Sequence, residues 1–274
     1  MLNKLLKHDW KETWKFPTIL IGFLLAATLL ISLGFFTSLF DFSSFDSGHA
    51  TFIMYTFVFL FYYMLIIGVA LGISVYIAIR FYKNLFTDEG YLTHTLPVTP
   101  TQLLLSKILV GMGWSLLAIL SIIVSIFIVG SSAIASLPST EISTIISELY
   151  AVFQIPSAYT VFCFIMTMLL GSLQSVLMAY CAICLGQFLT RHRIIGSLVA
   201  YLGFYIISQI ISSLTMLPYT VRQITLAESQ ATVTVSSFDL IADIFPFTTL
   251  LSLISVILYF FISKHCISKK LNLE

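Results

Sequence analysis

Charge is what this 274-residue sequence has least of. Only 9% of its residues are Asp, Glu, Lys or Arg, whereas 59% are hydrophobic; an ordinary soluble domain carries about 25% charged residues. A water-soluble fold of this composition would lack the polar surface to cover itself, so the chain is read as membrane-embedded, with no nucleic acid among its partners. Cysteine is scarce too. Cys163, Cys181, Cys184 and Cys266 show no spacing of a disulfide framework. Cys181 and Cys184 share a helical face, which makes a redox relay conceivable, but thiols in apolar helices are usually inert packing groups.

Catalytic signatures are missing as well. His8, His49, His94, His192 and His265 fall in loops or tails without metal-ligand spacing. There is no HExxH, no GxSxG and no carboxylate pair on a spanning segment. No enzyme activity, metal site or cofactor is therefore expected of this chain. The phosphate-cradling pattern GxxxxGK[ST] is also absent, so any ATP-driven work would need the nucleotide, with its Mg2+, in a separate subunit.

What is present is six apolar segments of the length that crosses a bilayer, about 20 residues at 1.5 Å each. They run over about 16–40, 51–79, 103–130, 158–189, 194–217 and 244–262. The first is longer than the apolar core of a signal peptide and is expected to be retained. The predicted fold class is an all-α integral membrane protein, one transmembrane domain over 1–274. Charges cluster in the connections, with Lys107 at the edge of the third segment counted among them. Twelve of the thirteen basic residues fall on one side: Lys4, Lys7, Lys11 and Lys15, then Arg80, Lys83 and Lys107, then Arg191 and Arg193, then Lys264, Lys269 and Lys270. Arg222 alone falls on the other, with Asp41, Asp46, Glu141, Glu148, Glu228, Asp239 and Asp243. The positive-inside rule then places both termini in the cytoplasm of a bacterial cell membrane.

Before the first span, Leu2, Leu5, Leu6, Trp10 and Trp14 recur at helical spacing opposite Lys4, Lys7, Lys11 and Lys15. This pattern predicts an interfacial, elbow-like helix in the headgroup layer, with Trp10, Trp14, Lys4, Lys7 and Lys11 as its membrane contacts; a frayed tail is the alternative. Gly68 and Gly72, four apart, suit a close helix contact. Thr99-Pro100-Thr101-Gln102 predicts a capped helix start. Ile142, Ile145, Ile146, Leu149 and Phe153 form an amphipathic stretch in the loop over 131–157, and 218–243 is expected to hold short helices or a re-entrant piece. Carboxylates are missing from the spans, which weakens an ion-coupled carrier. Gln174 and Gln209 are the candidates for substrate-path or helix-bridging roles.

The connection between the second and third spans carries the most information. Asp88-Glu89-Gly90-Tyr91-Leu92-Thr93-His94-Thr95-Leu96-Pro97-Val98-Thr99, preceded by Phe81-Tyr82-Lys83-Asn84-Leu85, resembles the loop of bacterial type-2 ABC-transporter permeases. The resemblance implies a short cytoplasmic coupling helix between helices 2 and 3, docking on an ATPase through Asp88, Glu89, Gly90, Tyr91, Leu92, Thr93, Leu96 and Pro97. It also implies a working exporter of two ATPase subunits and two permeases, the second a copy or a homologue. Negative charge near a helix start and an apolar Tyr-Leu anchor fit such docking. A secondary transporter, or a non-transporting assembly or sensor protein, is the alternative.

Overall fold

A segment in lipid finds no hydrogen-bond partners but its own backbone, so apolar runs of this length close into helices. The computed structural model describes residues 2–37, 49–87, 99–137, 142–144, 147, 158–188, 192–228 and 237–269. Among them there is no strand. The helices are α1 (Leu2–Thr13), α2 (Lys15–Phe36), α3 (His49–Phe86), α4 (Pro100–Ala135), α5 (Ala158–Gly186), α6 (Arg193–Glu228) and α7 (Ser237–Lys269). Six of these, α2 to α7, are long and apolar enough to cross a membrane. The protein is thus an all-α, multi-pass membrane protein.

Two groups of helices make the bundle. α2 packs mainly on α4, with α3 beside both and α1 laid across α4. α5 packs on α7 and α6, and touches α3 and α4 to join the groups. Leu24, Val69, Ile73, Phe81, Leu85, Leu103, Leu104 and Leu177 fill the interior. Large apolar side chains also cover the outside: Phe127 is 75% exposed and Leu30 is 70% exposed. Such a surface suits hydrocarbon as solvent.

Several helices outrun the apolar segments read from sequence. α3 continues past Ile79 to Phe86 and, at 38 residues, reaches about 57 Å. α4 begins at Pro100, where Thr99 accepts from the Gln102 amide and Gln102 Oε1 accepts from the Thr99 amide, both at 3.4 Å, so the capping box forms. Pro218 does not end α6; the helix runs through it to Glu228. Proline removes one backbone bond and bends a helix, but a long helix can absorb that loss. α5 ends at Gly186, where a Cβ would lie 2.5 Å from the Ser197 backbone nitrogen, so only glycine lets α5 and α6 meet this closely.

Hydroxyls inside the bundle are satisfied in two ways. Some bond back to their own helix, as Thr167 does to the Cys163 carbonyl at 2.8 Å. Others join helices. Ser125 of α4 lies 2.6 Å from both Thr28 Oγ1 of α2 and Tyr62 Oη of α3, which ties three helices at one point. The four cysteines are free thiols and buried. Cys266 Sγ of α7 donates to the Cys184 carbonyl of α5 at 3.1 Å, so here the thiols serve packing.

Candidate functional site

The densest polar constellation lies where α1 crosses α4. On α1 the deeply buried residues are Asp9 and Thr13, spaced four apart, with Leu2, Leu5 and Leu6 half-buried along the same stripe. Trp10 and Trp14, read from sequence as membrane contacts, are 40% and 48% exposed. Lys4, Lys7 and Lys11 point outward, as their spacing predicts.

Asp9 is 3% exposed and fully engaged. One carboxylate oxygen accepts from Lys107 Nζ at 2.6 Å, and the other accepts from Ser106 Oγ. Lys107, counted with a loop on the basis of sequence, therefore sits two turns inside α4 as the partner of a carboxylate 98 positions away. A carboxylate withdrawn from water is tolerated only when paired and hydrogen-bonded, and Asp9 meets both conditions. Next to it, Trp10 stacks on Trp114 with centroids 4.7 Å apart, and Trp114 Nε1 donates to Thr13 Oγ1 at 3.0 Å. A Cβ on Gly113 would meet the Trp10 ring at 2.8 Å, so this glycine makes room for the stack. Glu12 pairs with Arg80 near the end of α3.

The same turn of α4 is held from its other side. Tyr180 Oη of α5 donates to the Lys107 carbonyl at 3.1 Å, and its ring stacks on Phe81 of α3 at 3.8 Å. Gly111 gives Tyr180 its space; a Cβ there would come 2.9 Å from the hydroxyl. Four elements, α1, α3, α4 and α5, thus converge within two turns of one another.

His8, Asp9 and Glu12 bring ligand-type atoms within 4.8 Å of each other. Both carboxylates already neutralise Lys107 and Arg80, so the cluster is an ion-pair site. The Ser106 hydroxyl and the Lys107 ammonium are both spent on Asp9. These contacts join α1 to α3 and α4, and α4 to α5.

The other sequence-derived candidates are dispersed. Asp88, Glu89, Gly90, Tyr91, Leu92, Thr93, Leu96 and Pro97 lie outside the described residues, as do most of the amphipathic stretch over 142–153 and residues 229–236. Gln174 is half-buried on α5 and Gln209 exposed on α6; neither amide is hydrogen-bonded among the described residues, and no bond joins them. Asp9, Ser106 and Tyr180 were not singled out by sequence. The available signal was a carboxylate on the apolar stripe of α1 together with a lysine inside an apolar run.

No protein-family model, curated protein or solved structure matches this chain.

Proposed function

We propose that this chain is the membrane-spanning permease subunit of an ATP-driven exporter, with ATP hydrolysis carried out by a separate ABC-type ATPase docked on the loop over 88–97. The basic end of the bundle faces the cytoplasm in this reading, and α1 is the elbow helix in the headgroup layer. Nucleotide-driven closure of paired ATPases moves the loops, and the helices open a path between two permeases.

One observation carries the reading: both arms of that loop are anchored in the junction. On the α3 side, Phe81 and Leu85 are buried and Arg80 pairs with Glu12. On the α4 side, Leu103 and Leu104 are buried, and Ser106 and Lys107 grip Asp9. A push on the loop would reach α1, α3, α4 and α5 together rather than dissipate in slack chain. The ionisable pair of the junction lies near the end of α4 and is internally neutralised. An ion-coupled carrier needs such groups free to exchange with a coupling ion.

The test is to read the neighbouring genes for an ATPase with the GxxxxGK[ST] pattern and to ask whether its product co-purifies with this chain. Leu92→Asp should abolish association and leave membrane insertion intact, because it places a charge in the apolar anchor. Association unchanged by Leu92→Asp would remove the loop as the docking site. Transport that survives ATP depletion and collapses with the ion gradient would favour the secondary carrier instead.

A further inference from the structure

The outer face of α6 carries polar groups that the protomer leaves unmatched. Helix α6 turns Gly196, Ser197, Ala200, Phe204, Ser208 and Thr215 toward the bundle, where Phe204 meets Tyr259 of α7 at 5.2 Å. Roughly a third of a turn away lies a stripe of Tyr205, Gln209 and Ser213 at four-residue spacing, all exposed and lining one shallow groove with Ile206, Ile210 and Leu214. Ser213 Oγ satisfies itself on the Gln209 carbonyl at 2.8 Å. The Gln209 amide group and the Tyr205 hydroxyl have no partner among the described residues. Gln209 sits about two-thirds along the Arg193–Pro218 span, a depth at which acyl chains offer neither donor nor acceptor. This span is also the least covered: 6% of its core window is buried, compared with 22% to 28% in α2 to α5.

We infer that a second copy of this chain covers the stripe, with the two α6 helices packed across a twofold axis and Gln209 paired with Gln209. The argument for a copy is self-complementarity. A primary amide carries donors and an acceptor, so two of them satisfy each other reciprocally when a twofold sets them face to face. A tyrosine hydroxyl has the same dual character. The stripe holds no charge that would call for a partner of opposite sign, and interhelical amide bonds are an established means of holding membrane helices together. The inference deepens the paired-permease reading by naming its contact face, although the unmatched amide itself would require a cover in any membrane protein.

The full chain is tested in native membranes with no ATPase present. Tyr205→Cys, Gln209→Cys and Ser213→Cys are made singly, and oxidative cross-linking is compared with the parent, whose four native thiols are buried. Ile207→Cys, off the stripe, and Phe127→Cys, 75% exposed on α4, serve as controls. Disulfide-linked dimers at the stripe positions and parent-level background at the controls are expected. Gln209→Leu should then lower the dimer fraction in dilute detergent about fivefold. Background-level cross-linking at all three stripe positions, or equal dimers from Phe127→Cys, overturns the interface. So does ready labelling of Gln209→Cys by a membrane-impermeant maleimide, which would put the stripe on a water-filled path. Because no ATPase takes part, these outcomes are independent of the co-purification test.

Discussion

Helix α1 is short and rich in lysine, yet its inward polar residues, Asp9 and Thr13, are buried. Helix α6 is three times as long, carries Ile, Leu and Val along most of its length, and lies largely uncovered. Composition would rank them the other way in water. In lipid the ranking inverts, since an isoleucine on the outside costs nothing and a carboxylate must be escorted by its partners. Between these two helices, burial follows hydrogen bonds and packing partners more than it follows apolarity.

Three substitutions sharpen or break that comparison. The largest effect is expected at the junction. Asp9→Ala removes the carboxylate that Lys107 Nζ meets at 2.6 Å, and should destabilise the fold by about 3–5 kcal/mol, measured by thermal unfolding in detergent. The Asp9→Leu, Lys107→Met double variant should recover most of that loss; equal destabilisation of single and double variants would show that the pair is not coupled. A middle effect is expected at the α5–α6 hairpin. Gly186→Ala forces a Cβ against Ser197 and should cost about 1–3 kcal/mol by overpacking, whereas a neutral outcome would mean that the two helices part easily. The smallest effect is expected on α6, where Leu198 is 61% exposed. Leu198→Ala should stay within about 0.5 kcal/mol in the isolated protomer. A loss approaching that of Asp9→Ala would end the contrast between the two helices.

How much of this was legible in the sequence depends on range. Each span announces itself through its own run of apolar residues, and the α4 start is written in four consecutive residues from Thr99 to Gln102. Those are local signals, and local signals suffice for helices in lipid. The junction is not local. Periodicity shows which residues of α1 share a face, but it cannot show that Lys107 lies opposite Asp9. The fifth span over 194–217 agrees with the candidate span Arg193–Pro218, but the helix that carries it continues through Pro218 to Glu228, a stretch that the sequence reading assigned to short helices or a re-entrant piece. The ATPase-docking residues proposed from the loop resemblance lie outside the described residues, so their reading still rests on sequence and on the anchored arms beside them.

The pairing of Asp9 with Lys107 also imposes an order on biogenesis. Their separation of 98 residues means that the carboxylate leaves the ribosome long before its partner exists. At about 5–20 residues per second, the wait is on the order of 5–20 s. During that interval α1 lacks its main docking surface, although Arg80 of α3 emerges in time to meet Glu12, and Asp9 must stay hydrated while α2 and α3 are inserted. Only when the start of α4 emerges can the N-terminal segment fold down across it. Helix α1, made well before α4, is thus among the later ones to settle, and it closes over the end of a bundle already partly built.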